Sequence, residues 1–358
     1  MPRVAPQNPR GDAAVHLGNR IVAAGSAGQR ATLPFTVIRT IVFRDSKLAS
    51  EAPSSERLQA LRAEPGVMLW VDLSEPTAEE TSRILNDIFA VHPLTIEDCL
   101  QDSPLPKIEL YDDYLYIVIH AVDYSRAEKF TTIEVDFMLG RNFLVTLHRK
   151  PIRPIDVARQ RVLRSPSAQV RGPDRLAHNM LDLLVDYYRP ALAELRTEVE
   201  KIEEAVLERG REKLDARIVE LREDLAALRQ IIRPQRELAA ELAQGRTPFF
   251  RPKLLPYLRD LNDELVRIEE MAVSWSEQTI LIFRVYLNRA SHEANAGIRV
   301  LTALTAVTLP LLVIGGWFGM NFRDMPLLES RPAYWGTMTV TVGLTVGLFV
   351  FLRKRRWF

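Results

Sequence analysis

From Val300 to Phe322 the chain runs 23 residues without a charged side chain, and from Pro332 to Leu352 it runs 21 more. About 20 apolar residues in a helix cross the ~30 Å of bilayer hydrocarbon. Two such stretches near the C-terminus predict a two-span membrane protein with most of its chain outside the bilayer. The averages conceal this: 26% of residues are charged, and 47 Lys and Arg balance 46 Asp and Glu. That balance argues against a nucleic-acid binder, which carries a basic excess. The single Cys99 makes no intramolecular disulfide, which fits a reducing compartment for the bulk of the chain.

Residues 1–34 are rich in Pro, Gly and Ala, carry Arg3, Arg10, Arg20 and Arg30 against the one acid Asp12, and are expected to be a disordered tail. They lack the apolar core of a secretory signal; a transit peptide is the alternative. Residues 35–170 are expected to form an α/β domain with a mixed sheet. Val37–Phe43, Val67–Leu73, Tyr114–Val122, Phe130–Leu139 and Asn142–His148 read as strands, with Gly140-Arg141 as a hairpin turn. Helices are expected from Thr77 and from Pro93, proline being favourable in a first turn.

Residues 171–248 shift to Ala, Leu, Glu and Arg at helical spacing, which predicts a hairpin of long helices with wet outer faces, a corner at Gly210 and a break at Gly245-Arg-Thr-Pro248. In the stalk, 249–298, Leu254, Leu258, Leu261, Leu265, Ile268, Ala272 and Trp275 step by alternating fours and threes. That is a coiled-coil stripe on a helix that continues into the first span. It implies self-association of stalks; packing against the chain's own hairpin is the alternative.

The first span with its exit is 299–322, the loop 323–331, the second span 332–352 and the basic tail 353–358. Arg353-Lys-Arg-Arg356 and the stalk's Arg284, Arg289 and Arg299 outweigh the loop, where Arg323 and Arg331 are offset by Asp324 and Glu329. Both termini are therefore expected in the cytoplasm, with the loop outside. Two helices enclose no pore, so conduction needs several subunits around an axis. Thr302, Thr305 and Thr308, with Pro310, Gly315 and Gly316, make the first span the better lining candidate. Threonines bonded to their own backbone and glycines that permit close packing explain the same residues.

At the exit of the first span stand Phe318-Gly319-Met320-Asn321-Phe322 and Met325-Pro326. This resembles the Gly-Met-Asn signature of the CorA family of divalent-cation transporters. Trp70-Val-Asp-Leu73, His92-Pro-Leu-Thr-Ile-Glu-Asp98, Lys107-Ile-Glu-Leu-Tyr111 and Pro256-Tyr-Leu-Arg-Asp260 resemble the family in the same order. The resemblance implies a funnel-shaped homopentamer in the plasma (inner) membrane, with the first spans lining the pore. It implies Gly319, Met320 and Asn321 as the selectivity filter, where five Asn321 carbonyls face a hydrated Mg²⁺, an ion that dehydrates reluctantly. It places Asn295 at the pore mouth and Ile298, Leu301, Leu309 and Leu312 along the path, beside Thr305.

The resemblance also implies a regulatory Mg²⁺ site between neighbouring cytoplasmic domains, with Asp98 and Glu97 on one side and Asp260, with Asp182 nearby, on the other. A local alternative exists: Glu97 and Asp98 complement the helix after Pro93, Thr95 and Asp98 being spaced as a capping pair. Three positions depart from the family pattern. Leu327 follows Met-Pro where an acid is usual, Arg284 stands where some relatives have an acid near the membrane end of the stalk, and Leu312 replaces a hydroxyl residue found in the pore of some members.

The function expected is passive uptake of Mg²⁺, with Co²⁺ and Ni²⁺ as further cargo. Zn²⁺ transport within the same family is an alternative, and a membrane-anchored cation sensor that conducts nothing is another. An enzyme is not expected: His16, His92, His120, His148, His178 and His292 show no metal-ligand spacing, and no phosphate-binding glycine loop is present. No nucleotide partner and no ATP-driven pumping are expected.

Overall fold

The computed structural model describes residues 37–45, 47–51, 55–101, 103, 105–123, 131–208, 214–320 and 331–355. The N-terminal tail, Gly210, Asn321 and the loop between the spans lie outside them. Seven strands, β1 (Val37–Arg44), β2 (Lys47–Glu51), β3 (Val67–Ser74), β4 (Lys107–Leu110), β5 (Tyr114–Asp123), β6 (Thr131–Gly140) and β7 (Phe143–His148), form one sheet in the order β2-β1-β3-β7-β6-β5-β4. Only β3 and β7 pair in parallel, so the sheet is mixed as expected.

The five strands read from the sequence are all present; β2 and β4 were not among them. Both are short edge strands in which charged residues interrupt the apolar pattern, as edges that avoid pairing with other chains tend to be. The central β3 is buried along its whole length, which suits a strand covered on both faces. Helices α1 (Ser55–Ala63), α2 (Ala78–Ser82, continued by a π-helical turn at Arg83–Ile88) and α3 (Pro93–Leu100) cover one face through Leu58, Ile84, Leu85 and Cys99, which pack on Leu69, Val71 and Leu73. α4 (Arg153–Arg164), the short α5 (Pro166–Gln169) and α6 (Pro173–Asp186) follow β7, and α4 and α6 cover the other face against Trp70, Leu144 and Phe137.

Thr77 caps α2 through a capping box with Glu80, and Pro93 opens α3 as the sequence indicates. The capping pair considered for α3 does not form. The cap is His92, whose Nδ1 accepts from the Leu94 N–H at 3.2 Å; Thr95 is buried on the Tyr114 hydroxyl at 2.9 Å. Gly140 ends β6 at a point where an added Cβ would lie 2.1 Å from the Phe143 ring, so only glycine fits that turn.

The second core continues into α7 (Tyr188–Leu207), α8 (Leu214–Ala243) and α9 (Leu255–Phe318). A buried polar link ties them to β5: the Tyr188 hydroxyl donates to the His120 carbonyl at 2.7 Å, and Gln235 bonds both the His120 N–H and the Tyr188 hydroxyl. Gly245, at φ +70°, ends the α8 segment. α9 is a single helix of 64 residues, about 96 Å at 1.5 Å per residue.

The stalk stripe meets the chain's own hairpin, the alternative weighed above, and so does not itself supply the evidence for self-association. Leu254, Leu258, Leu261, Leu265, Ile268 and Ala272 are buried within the chain, against Leu221, Leu225 and Leu228 of α8 and neighbouring helices. An apolar stripe demands a partner, and the adjacent hairpin supplies it. Arg289, counted above among the membrane-flanking charges, donates to the Val206 carbonyl at the C-terminus of α7, where carbonyls are unpaired and positive charge is favoured.

α9 and α10 (Arg331–Lys354) contain windows of mean hydropathy 2.0 and 1.7 that are only 6% and 11% buried. A core helix of a soluble fold would be covered. These two are long and apolar enough to cross a membrane.

Candidate functional site

The membrane end of α9 has two distinct sides. Ala303 is fully buried, and Pro310, Ile314 and Phe318 are partly buried. Leu311, Ile314 and Phe318 line a groove shared with Thr337, Met338 and Thr341 of α10. On α10 the covered positions are Ala333, Thr337, Thr341, Thr345, Leu348 and Leu352, a stripe of mostly small residues of the kind that lets membrane helices approach closely. The hydroxyls of Thr337, Thr341 and Thr345 turn back to the carbonyls four residues earlier.

Asn295, Ile298, Leu301, Thr305, Leu309 and Leu312 occupy the other side. At about 100° per residue they fall within about 120° of arc, roughly opposite the stripe that meets α10. All six are exposed; Leu301 is 65% and Leu312 67% accessible. Thr305 donates to the Leu301 carbonyl at 2.9 Å and Thr308 to the Leu304 carbonyl at 3.0 Å, so these hydroxyls present only acceptor lone pairs outward. Asn295 Nδ2 approaches Ser291 Oγ at 3.4 Å.

Gly319 closes the helix, its N–H bonded to the Gly315 carbonyl, and a Cβ there would stand 3.1 Å from that oxygen. Met320 is half exposed, with its N–H on the Trp317 carbonyl at 3.3 Å. Asn321 lies just beyond the described residues. Arg284 is exposed, and among the described residues no carboxylate pairs with it.

The four acids Glu97, Asp98, Asp182 and Asp260 fall into two separate pairs. Glu97 and Asp98 lie on α3, on one face of the sheet; Asp182 on α6 and Asp260 on α9 belong to the other. Asp98 Oδ2 accepts from Lys107 Nζ at 2.6 Å, and the same ammonium reaches Glu109 at 2.9 Å. Lys107 was not singled out as a partner for Asp98. The two are nine residues apart on different elements, and only the return of the chain along the β4 edge brings them together.

Beneath Lys107 the Tyr116 hydroxyl donates to the buried Asp136 at 2.8 Å. Burial pushes the Asp136 carboxyl up to about 7, against the pull of Tyr116, Arg149 and Lys107.

Asp182 still reaches solvent, yet burial raises its carboxyl above the usual range. His178 and Arg161 oppose that rise, while the charges of Asp186 and Asp260 add to it. A cation between Asp182 and Asp260 would relieve the repulsion and favour both carboxylates. Among the described residues no three His, Cys, Asp or Glu side chains converge as a complete metal cage. Mg²⁺ does not require one, since it keeps several waters and is held by one or two carboxylates.

A family model described as CorA-like Mg2+ transporter protein matches residues 65–354. The YfjQ protein of Bacillus subtilis is 32% identical over 289 residues, covering 81% of this chain and 89% of that protein. The cobalt/magnesium transport protein CorA of Thermotoga maritima is 27% identical over 290 residues, covering 80% of this chain and 83% of that one. The complete structure of the CorA magnesium transporter from Methanocaldococcus jannaschii superposes with a TM-score of 0.74 at 20% identity, over 89% of this chain and 98% of that one.

Proposed function

The chain belongs to the CorA-like Mg2+ transporter family, whose members are membrane transporters rather than enzymes, and from that premise we propose that it carries Mg²⁺ passively through a homopentameric pore. The two-sided character of α9 supports this most directly. One side is taken up by α10, and the opposite side presents Asn295, Ile298, Leu301, Thr305, Leu309 and Leu312 uncovered. A ring of such helices would enclose a path with one polar mouth and apolar constrictions that close by dewetting. Gly319, Met320 and Asn321 stand at its outer end, with both termini in the cytoplasm.

Co²⁺ belongs with Mg²⁺ as cargo, in keeping with the name of the Thermotoga relative, and Ni²⁺ fits the same hydrated-ion chemistry. The membrane potential would drive uptake at about 2.3 kcal/mol per charge per 100 mV. The test is Mg²⁺ uptake into liposomes that carry the purified oligomer under an imposed potential, with Zn²⁺ run in parallel. Potential-dependent Mg²⁺ uptake is the expected result. Uptake of Zn²⁺ alone would move the protein to zinc transport, and no uptake of either ion by intact oligomers would leave a cation sensor.

The separation of the acids supports a regulatory site between subunits. Glu97 and Asp98 cannot meet Asp182 and Asp260 within one chain, because the sheet lies between them. Apposed across two subunits, the pairs would be bridged by Mg²⁺ and would repel without it, with Lys107 softening the Asp98 side. Mg²⁺ is therefore expected to protect the stalk from protease in the wild type, and Asp98→Ala with Asp260→Ala to remove most of that protection. Equal cleavage of the wild type with and without Mg²⁺ would eliminate the site.

A further inference from the structure

At the end of α9 farthest from the membrane, Arg171, Arg175, Arg251, Lys253, Leu254 and Tyr257 line a pocket of about 520 Å³. Four cations face one cavity. The acid built into its wall is Asp174, 2% exposed, and both its oxygens are committed to Arg251, at 2.6 Å to Nε and 2.6 Å to Nη2. Among the described residues no carboxylate pairs with Arg171, Arg175 or Lys253. The pocket thus keeps an excess of about three positive charges, counting side chains as ionised at neutral pH.

Its walls are preorganised. Arg175 stacks over the Tyr257 ring with 4.5 Å between its guanidinium carbon and the ring centroid. Gly172, at φ +150°, leaves room that a Cβ would fill 2.6 Å from Arg251 Nη2 and 2.8 Å from Asp174 Oδ1. The first turns of α6 and α9 open beside the cavity, and the positive ends of the two helix dipoles add to the field there.

We propose that this pocket is an anion site for a small molecule that carries a diphosphate or longer phosphate chain. Guanidinium groups match phosphate oxygens bidentately, and Arg175, held on the Tyr257 ring, with Arg171 and Lys253 beside it favours several adjacent phosphates over one. A lipid headgroup does not fit the location: Leu255 stands 45 residues before Val300, about 68 Å along the helix. A nucleic-acid strand would need a basic track longer than this single pocket of about 520 Å³. Two sources share the ligand chemistry, free pyrophosphate and a nucleoside polyphosphate whose ring system would rest near Tyr257. Neither involves ATP-driven transport.

The experiment is calorimetric titration of the full-length protein in detergent, in EDTA, with sodium pyrophosphate, ATP and AMP. Pyrophosphate and ATP are expected to bind, AMP at least about tenfold more weakly, since it offers a single phosphate. Arg171→Gln with Lys253→Gln, two exposed and unpaired positions, should lower both affinities about tenfold or more without changing the circular dichroism or the oligomer. Tighter binding of ATP identifies a nucleotide source, and equal affinities identify the phosphate chain alone. No binding of either ligand, or unchanged affinity in the double variant, overturns the site. Binding is read on the protein itself, so failure of Mg²⁺ transport would leave this result standing.

Discussion

Asn321→Ala reduces potential-driven Mg²⁺ uptake by about a hundredfold and leaves the oligomer assembled. In the pore proposed above, five asparagine carbonyls replace part of the outer hydration of an ion that keeps its inner shell. Removing them deletes five hydrogen-bond acceptors at once. At about 0.5 kcal/mol each the loss is about 2.5 kcal/mol, or nearly two orders of magnitude in rate. Assembly should survive, because the described contacts of α9 with α10 and with the hairpin are made by α9 residues that precede this one. Uptake unchanged in the variant, measured with the same dye and potential, would show that the filter is elsewhere.

Asp72→Asn destabilises the α/β domain by about 3 kcal/mol or more, because it removes the counter-charge of the buried His148. His148 Nδ1 faces the Lys150 carbonyl at 2.6 Å, and His148 Nε2 faces Asp72 Oδ1 at 3.2 Å. Asp72 is the carboxylate nearest the ring, and its charge favours the protonated form of His148. Thr146 donates to Asp72 at 2.7 Å and Trp70 to Thr146 at 3.1 Å, which completes a network across β3 and β7.

Burial opposes the charge on His148, but Asp72 outweighs it and the histidine is raised above its ordinary value. A raised folded-state value means that the stabilisation is complete below about pH 6.5, the unfolded value. It is lost as the pH rises through the folded value. The unfolding temperature of the wild type should therefore fall on alkalinisation from about pH 6.5. In Asp72→Asn that slope should largely vanish. Parallel pH profiles for the two proteins would mean that the pair is not ionised.

The sheet was legible where the pattern is local. Val67–Leu73 and Tyr114–Val122 are continuous β-branched and aromatic runs, and both form central strands. The edges Lys47–Glu51 and Lys107–Leu110 escaped because solvent contact lets charges interrupt the apolar run. α1 escaped for a similar reason: Leu58 and Leu61 are its only buried apolar positions. The family resemblance pointed to Asn295, Ile298, Leu301, Thr305, Leu309 and Leu312, and the structure leaves all six exposed on one side of α9. Which side of that helix α10 would cover was not readable, since Ala303 and Leu301 look equally apolar in a sequence.

The acids Glu97, Asp98, Asp182 and Asp260 could be singled out in the sequence, but not their grouping into two pairs. Asp98 stood out through the His92–Asp98 stretch, but its ion pair with Lys107 depends on where β4 returns beside α3. The basic pocket left no sequence signal at all, because Arg171 and Arg175 are some 80 residues from Arg251 and Lys253 and meet only through the α6–α9 contact.

Two membrane-crossing helices, a long stalk, a mixed sheet and the family signature followed from the sequence by itself. Hydrophobic length, side-chain period and turn residues act over a few neighbours, and such features survive in one dimension. The tertiary structure alone decided what each surface meets. The stripe from Leu254 to Ala272 needed an apolar partner to leave water, and chain connectivity placed α8 there at a far smaller entropic cost than a second molecule. The opposite side of the apolar end of α9 has no such neighbour among the described residues, and Leu301, Leu309 and Leu312 remain exposed.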